Sequence, residues 1–184
     1  DFCWKDHIAR FGFQGEKADR IAQAMMLGPI WPKLDLGLES DEDILEQFVT
    51  HTPELEQEIR LVFSDLSTIV REYEGSVDWI ESLKARGYHT YYLSNYGERI
   101  RREASKELSF LSHMDGGIMS YTVHLAKPDP AIYQTLLDRY GLKAEECVFL
   151  DDTVRNVEAA QALGIAGIVV TSQEQAKKEL ETLL

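Results

Sequence analysis

Two adjacent carboxylates, Asp151 and Asp152, close the apolar run of CVFLDD and open the helical pattern VRNVEAAQALG. Like charges this close suppress each other's ionisation unless a positive group sits beside them. Either Asp152 caps the helix while its neighbour is solvated, or the pair awaits a cation. Two further polar features end strand-like stretches: YYLSN places Ser94 and Asn95 after an aromatic, β-rich run, and HLAKPDP places Lys127 ahead of a helix that a proline initiates. Singly, each has a plainer role, Ser94 as a turn residue, Lys127 as a surface lysine and Asp152 as an N-cap. Together, a hydroxyl and an amide, an ammonium and a carboxylate pair are the parts needed to hold a phosphoryl group beside Mg²⁺. That ion takes one or two carboxylates and keeps several waters, and it would offset the repulsion between Asp151 and Asp152.

The elements around these residues form two patterns that meet near Gly75. From Trp4 to Val70 the apolar residues recur at helical spacing: Trp4, Ile8 and Phe11; Ile21 and Met25; Ile44, Leu45 and Phe48; Leu55, Ile59, Val62, Phe63 and Leu66. GFQG and HTP punctuate this half, ESDED loads one helix start with negative charge, and LGPIWPKLDLG reads as a longer connection. The Met25–Met26 pair reads as core packing. After Gly75, helices (SVDWIESLKARG, ERIRREASKEL, PAIYQTLLDRYG, VRNVEAAQALG, EQAKKELETLL) alternate with short strands (YHTYYL, GGIMSY, CVFL, AGIVV). Such alternation predicts an α/β fold with a doubly wound parallel sheet. Ligands of these sheets collect outside the carboxyl ends of the strands, where Ser94, Asn95, Asp151 and Asp152 fall.

Composition excludes several classes. The chain has 184 residues and a net charge of −13, with no basic run or aromatic-interleaved basic stripe, which argues against nucleic acid as a partner. Its longest apolar run, GIAGIVV, is far short of the roughly 20 residues that span a bilayer, and no export pattern opens it. A cytoplasmic protein without membrane contact is expected. Cys3 and Cys147 are too few for a disulfide framework, and Cys147 begins a strand pattern where a small buried residue fits. His7, His51, His89, His113 and His124 lack zinc-ligand spacing and read mostly as surface or half-buried residues.

YYLSN, AKPDPAIY and VFLDDTVRNVEAAQALG, in this order and at these distances, resemble the second, third and fourth motifs of the haloacid dehalogenase (HAD) superfamily of phosphohydrolases. The resemblance covers about Gly75 to Val170. It implies that Ser94 and Asn95 bind phosphoryl oxygens, that Lys127 neutralises charge on nucleophile and phosphate, and that Asp151 and Asp152 hold Mg²⁺. It further implies a Rossmann-like core from residues 1–3 and 76–184, with a helical cap inserted over residues 4–75. A cap of this kind suits a small phosphate ester, and the nearest likeness is to sugar-phosphate phosphatases. IWPKLDLG offers Trp31 and Asp35 to recognition, the alternative being a packing tryptophan and a turn aspartate.

The family's nucleophile is an aspartate ending the first core strand, an apolar run followed by Asp-x-Asp or Asp-x-Gly. This sequence opens DFCWKDHIARFG, similar to the stretch just after that motif, with Asp1 on the loop leading to the cap. Neither Asp1 nor Asp6 has an apolar strand before it. Loss of a central strand leaves buried backbone groups unpaired, so a strand and turn of about ten residues are expected upstream of Asp1. With that strand, the resemblance implies attack by its aspartate on phosphorus, an aspartyl-phosphate, and hydrolysis by water. A catalytically inactive HAD-like binding module is the alternative if the strand is naturally lost. A haloacid dehalogenase of the superfamily needs no metal and typically replaces the acidic pair by uncharged residues, so LDD favours phosphate chemistry. Phosphomutase activity and the oligomeric state stay open.

Overall fold

The computed structural model describes residues 2–184, in two compact units divided between His124 and Leu125. Asp1, expected on the loop leading into the helical half, lies outside the described residues.

The first unit begins with α1 (Trp4–Arg10), α2 (Gly15–Ala24), α3 (Trp31–Leu36), α4 (Asp41–His51) and α5 (Glu56–Phe63), with a 3-10 turn over Pro53–Leu55. Each longer helix buries one stripe: Ala18, Ile21 and Ala22 on α2, Ile44 and Phe48 on α4, Ile59, Val62 and Phe63 on α5. Spacings of three and four residues put these side chains on one face. α4 starts at Ser40, whose hydroxyl accepts the Asp43 amide at 3.1 Å. Asp41, Glu42 and Asp43 fill its first turn, where the helix dipole favours negative charge. Phe48 lies at the centre of the cluster, with the rings of Trp31 and Phe63 centred 6.2 and 5.9 Å away. Met25 and Met26 are buried in the same cluster, as expected.

α3 corrects one expectation. The stretch predicted to be a plain connection contains this helix, with Pro32 in its first turn and Gly37 in the left-handed conformation (φ 63°) at its end. Proline lacks only an N–H that a first turn leaves unbonded, so here it starts a helix rather than breaking one. Glycine then ends it without the penalty that a Cβ would bring.

The chain enters and leaves this helical stretch side by side. Phe2 forms an antiparallel bridge with Val70, and the Cys3 amide donates to the Ile69 carbonyl at 2.7 Å. Beyond it come α6 (Ser76–Ala85), β1 (Tyr91–Ser94), α7 (Glu98–Glu103) and β2 (Gly116–Met119). β1 and β2 are parallel, with Tyr91 opposite Gly116 and Ser94 opposite Met119. α7 stops well before the end of the predicted ERIRREASKEL helix, and no glycine or proline marks the place. Its buried residue Ile100 and the following Ala104 belong to the same apolar cluster as Phe48 and Phe63.

The second unit holds α8 (Pro130–Tyr140), β3 (Val148–Asp151), α9 (Val154–Ala162), β4 (Ala166–Val169) and α10 (Gln173–Leu180). Its signals are local. Asp129 caps α8 by accepting the Ala131 amide at 2.9 Å, Pro130 comes next at the first helical position, and Gly141 (φ 62°) ends the helix. β3 and β4 are parallel, Val148 opposite Ala166 and Asp151 opposite Val169, with α9 between them in the chain. The strand begins at Val148, so Cys147 precedes it and is only half-buried. No helix among the described residues is long and apolar enough to cross a membrane.

Candidate active site

Asp151 is the last residue of β3, and Lys127 lies in the loop before α8. The Lys127 ammonium is 2.6 Å from Asp151 Oδ2, with the two side chains only 8% and 7% exposed. Burying two charges costs several kcal/mol, on the order of the attraction regained, unless further hydrogen bonds complete the site. They do so here. Asp151 Oδ1 accepts the Thr153 amide and the Asn156 side-chain N–H, both at 2.9 Å. The Lys127 ammonium also lies 5.4 Å from the centre of the Phe149 ring.

Asp152 differs in every respect. It is exposed, and its carboxylate accepts from the Thr153 hydroxyl at 3.3 Å. The N-cap of α9 is Thr153, and the carboxylate that holds its amide belongs to Asp151. Asp152 is therefore not the helix cap. The mutual repulsion of the pair is relieved by giving one carboxylate a cation and two donors and leaving the other in water. Repulsion alone therefore does not demand a divalent ion.

Asn156 joins the site, a residue that lies within the VFLDDTVRNVEAAQALG stretch but is not among the candidate site residues read from it. It is buried on the α9 face that carries Val157 and Ala160, donates to Asp151, and has a buried side-chain oxygen without a hydrogen-bond donor. A polar residue at a buried position of an amphipathic helix is the available signal. The buried Tyr133 hydroxyl donates to the Asn156 carbonyl at 2.8 Å. Burial, and then the charge of Asp151, push the Tyr133 phenol up to about 12.

In the first unit, Ser94 ends β1 and Asn95 comes directly after it, both half-buried. The next amide, that of Tyr96, donates to the hydroxyl of Ser120 at 2.8 Å. Burial raises the Tyr96 phenol above its ordinary value. Trp31 is 6% exposed and packs on Phe48 and Phe2, which makes it a core residue. Asp35 is half-buried.

The histidines include one exception to the expected surface positions. His7 is fully buried, with Nδ1 3.0 Å from the Thr68 hydroxyl and Nε2 3.4 Å from the Val62 carbonyl. Burial lowers its pKa below the ordinary histidine value.

Whether Mg²⁺ suits the second unit is decided by its donor set. Among the described residues no group of three or more His, Cys, Asp or Glu side chains converges. The polar groups at this end of β3 are hard oxygens: the Asp151 carboxylate, the exposed carboxylate of its chain neighbour Asp152, and the buried Asn156 side-chain oxygen, which has no donor of its own. Few carboxylates and room for water are what Mg²⁺ takes, so the residues fit the ion.

Parallel strands joined through helices, with a lysine-paired carboxylate at a strand's carboxyl end, define a Rossmann-like α/β protein of the HAD type. The chain belongs to the haloacid dehalogenase-like hydrolase family, whose model matches residues 13–164. It is 32% identical over 162 residues to acyl-CoA dehydrogenase family member 10 of Mus musculus, covering 85% of this chain and 15% of that protein. It is 30% identical over 142 residues to the phosphorylated carbohydrates phosphatase of Thermotoga maritima, covering 76% of this chain and 63% of the relative. The chain thus spans less than two thirds of either relative. A HAD family enzyme from Bacteroides thetaiotaomicron, solved with magnesium and inorganic phosphate, has the same fold: TM-score 0.67 and 21% identity, over 91% of this chain and 85% of that one.

Proposed function

We propose that this protein is a Mg²⁺-dependent phosphatase that hydrolyses a small phosphate monoester, a sugar phosphate or similar, through an aspartyl-phosphate. The observation that carries the proposal is the buried Lys127–Asp151 pair at the carboxyl end of β3 with the exposed Asp152 beside it. A buried ammonium held by a carboxylate is a fixed positive charge, and fixed charges act on a developing transition state without reorganisation. In this reading Lys127 neutralises negative charge on the attacking carboxylate and on the phosphoryl oxygens. Ser94 and Asn95 bind those oxygens through their hydroxyl and amide.

Asp151 and Asp152 would hold the metal, with the Asn156 oxygen accepting from a water or from the ion's own shell. When bound, Mg²⁺ supplies Lewis-acid neutralisation of phosphoryl charge. Residues 4–75 would act as the cap, a role supported by the side-by-side entry and exit at Phe2–Cys3 and Ile69–Val70. The Thermotoga relative supports phosphorylated carbohydrates as the substrate class.

The test is phosphate release by the full-length protein from p-nitrophenyl phosphate and a panel of sugar phosphates, with and without EDTA. Metal-dependent release is expected. Chloride release from 2-chloropropionate in EDTA, with no phosphate released from any ester, would establish dehalogenase chemistry instead.

A further inference from the structure

Ser120 is a buried polar residue that the proposed chemistry leaves unused. It is 0% exposed and comes directly after β2. Its hydroxyl accepts the Tyr96 amide at 2.8 Å and donates to the Asp35 carbonyl at 2.5 Å. One side chain therefore joins three stretches far apart in the sequence: the loop leaving β1, the chain leaving β2, and the last turn of α3. Both partners are main-chain groups, so the hydroxyl fixes backbone positions rather than side-chain orientations.

The surrounding contacts converge on the same place. His124 donates through Nδ1 to the Leu36 carbonyl at 2.9 Å, from a backbone in the left-handed region (φ 57°). A Cβ at Gly37 would stand 2.8 Å from the Tyr121 Cβ, and one at Gly97 would stand 2.9 Å from the Leu34 Cγ. Real Cβ atoms do not approach so closely, so α3 packs directly on both loops only because these two positions are glycine. The end of α3 is thereby seated against the loop that carries Ser94 and Asn95.

We propose that Ser120 is a positioning residue, a latch that holds the Ser94–Asn95 loop and residues 35–38 of the helical half in one fixed arrangement for phosphate-ester binding. The proposal rests on the phosphatase reading for its purpose, but the latch itself is a ligand-free property. Substituting alanine removes the hydroxyl without adding bulk, leaving the Tyr96 N–H and the Asp35 carbonyl without this partner. Both segments then loosen together. Threonine at the same position keeps the hydroxyl.

The experiment compares full-length wild type, Ser120→Ala and Ser120→Thr, first by hydrogen–deuterium exchange without ligand. The amides of Tyr96 and of residues 35–38 should exchange together roughly tenfold faster in the alanine variant, while those of α5 stay at the wild-type rate. In steady-state assays, KM for p-nitrophenyl phosphate and the inhibition constant of inorganic phosphate should rise by a similar factor. kcat should change by less than about twofold, the pattern of lost uniform binding. Ser120→Thr should restore both. Faster exchange at only one of the two segments, or spread into α5, overturns the latch, as does coupled exchange in an active enzyme whose KM and phosphate inhibition stay at wild-type values. A wild type that hydrolyses no ester sinks the phosphatase reading, and coupled exchange in Ser120→Ala would still support the latch.

Discussion

Lys127 and Asp151, 24 residues apart in the chain, meet at 2.6 Å with both side chains more than nine-tenths buried. The pair is completed by the Thr153 amide and the Asn156 side chain, so Asp151 has no oxygen without a donor. Removing either partner of such a pair strands the other, and this makes the site testable for stability and for chemistry at once.

Lys127→Met keeps the aliphatic stem and deletes the charge. Unfolding by urea should show a loss of about 3–5 kcal/mol, the usual cost of an uncompensated buried charge. Turnover of p-nitrophenyl phosphate by the full-length enzyme should fall by about 10²–10³-fold if the ammonium stabilises the transition state. Wild-type turnover in a folded Lys127→Met protein would remove the lysine from the chemistry.

Asp152→Asn alters an exposed side chain, so stability should stay within about 0.5 kcal/mol of wild type. Mg²⁺ affinity, measured by calorimetry, should nevertheless drop by roughly 10–100-fold. Unchanged affinity would leave Asp152 as a solvated surface carboxylate.

Asn156→Ala deletes a hydrogen bond to a buried carboxylate, a change worth about 1.5–3 kcal/mol. Thermal unfolding should report that loss even without metal. If the Asn156 oxygen also serves the ion or its water, the variant should gain less stability from added Mg²⁺ than wild type does.

His7, buried in the helical half, predicts a pH dependence of stability. Burial lowers its pKa, so below the ordinary value of 6.5 the unfolded chain binds a proton that the folded chain refuses. Stability from the neutral, buried ring is therefore fully present above pH 6.5 and is lost as pH falls towards the depressed folded value. A melting-temperature series from pH 8 to 5 should fall on the acid side, and His7→Phe should flatten that decline.

The parts of the site that are legible in the sequence lie at local boundaries. An apolar run ending in Ser94 or Asp151, and a proline opening a helix just after Lys127, mark strand ends and helix starts without long-range information. The partnership of Lys127 with Asp151 is not legible in the sequence, because spacing along the chain does not fix a contact between a loop and a strand end. Asn156 and Ser120 are hidden for a different reason. Each is a polar residue of a type common at surfaces, and only packing shows that its position is buried. α3 is concealed because Pro32 within LGPIWPKLDLG reads as an interruption, when the first turn of a helix accepts it. The early stop of α7 has no residue signature at all.

The apolar cluster of the helical half has a practical consequence for anyone building chimaeras from this family. Ile100 and Ala104 belong to the same buried cluster as Phe48, Phe63 and Leu66, although they come after Ser94 and Asn95 in the chain. Transplanting residues 4–70 from a relative would set a foreign surface against these two positions, and the mismatch would be felt by the helix immediately after the Ser94–Asn95 loop. The natural exchange unit is discontinuous: the N-terminal helices together with the inner face of α7. A hybrid that carries both should keep its loop in register, whereas one cut only at the helical segment's ends should express as a loosely packed protein.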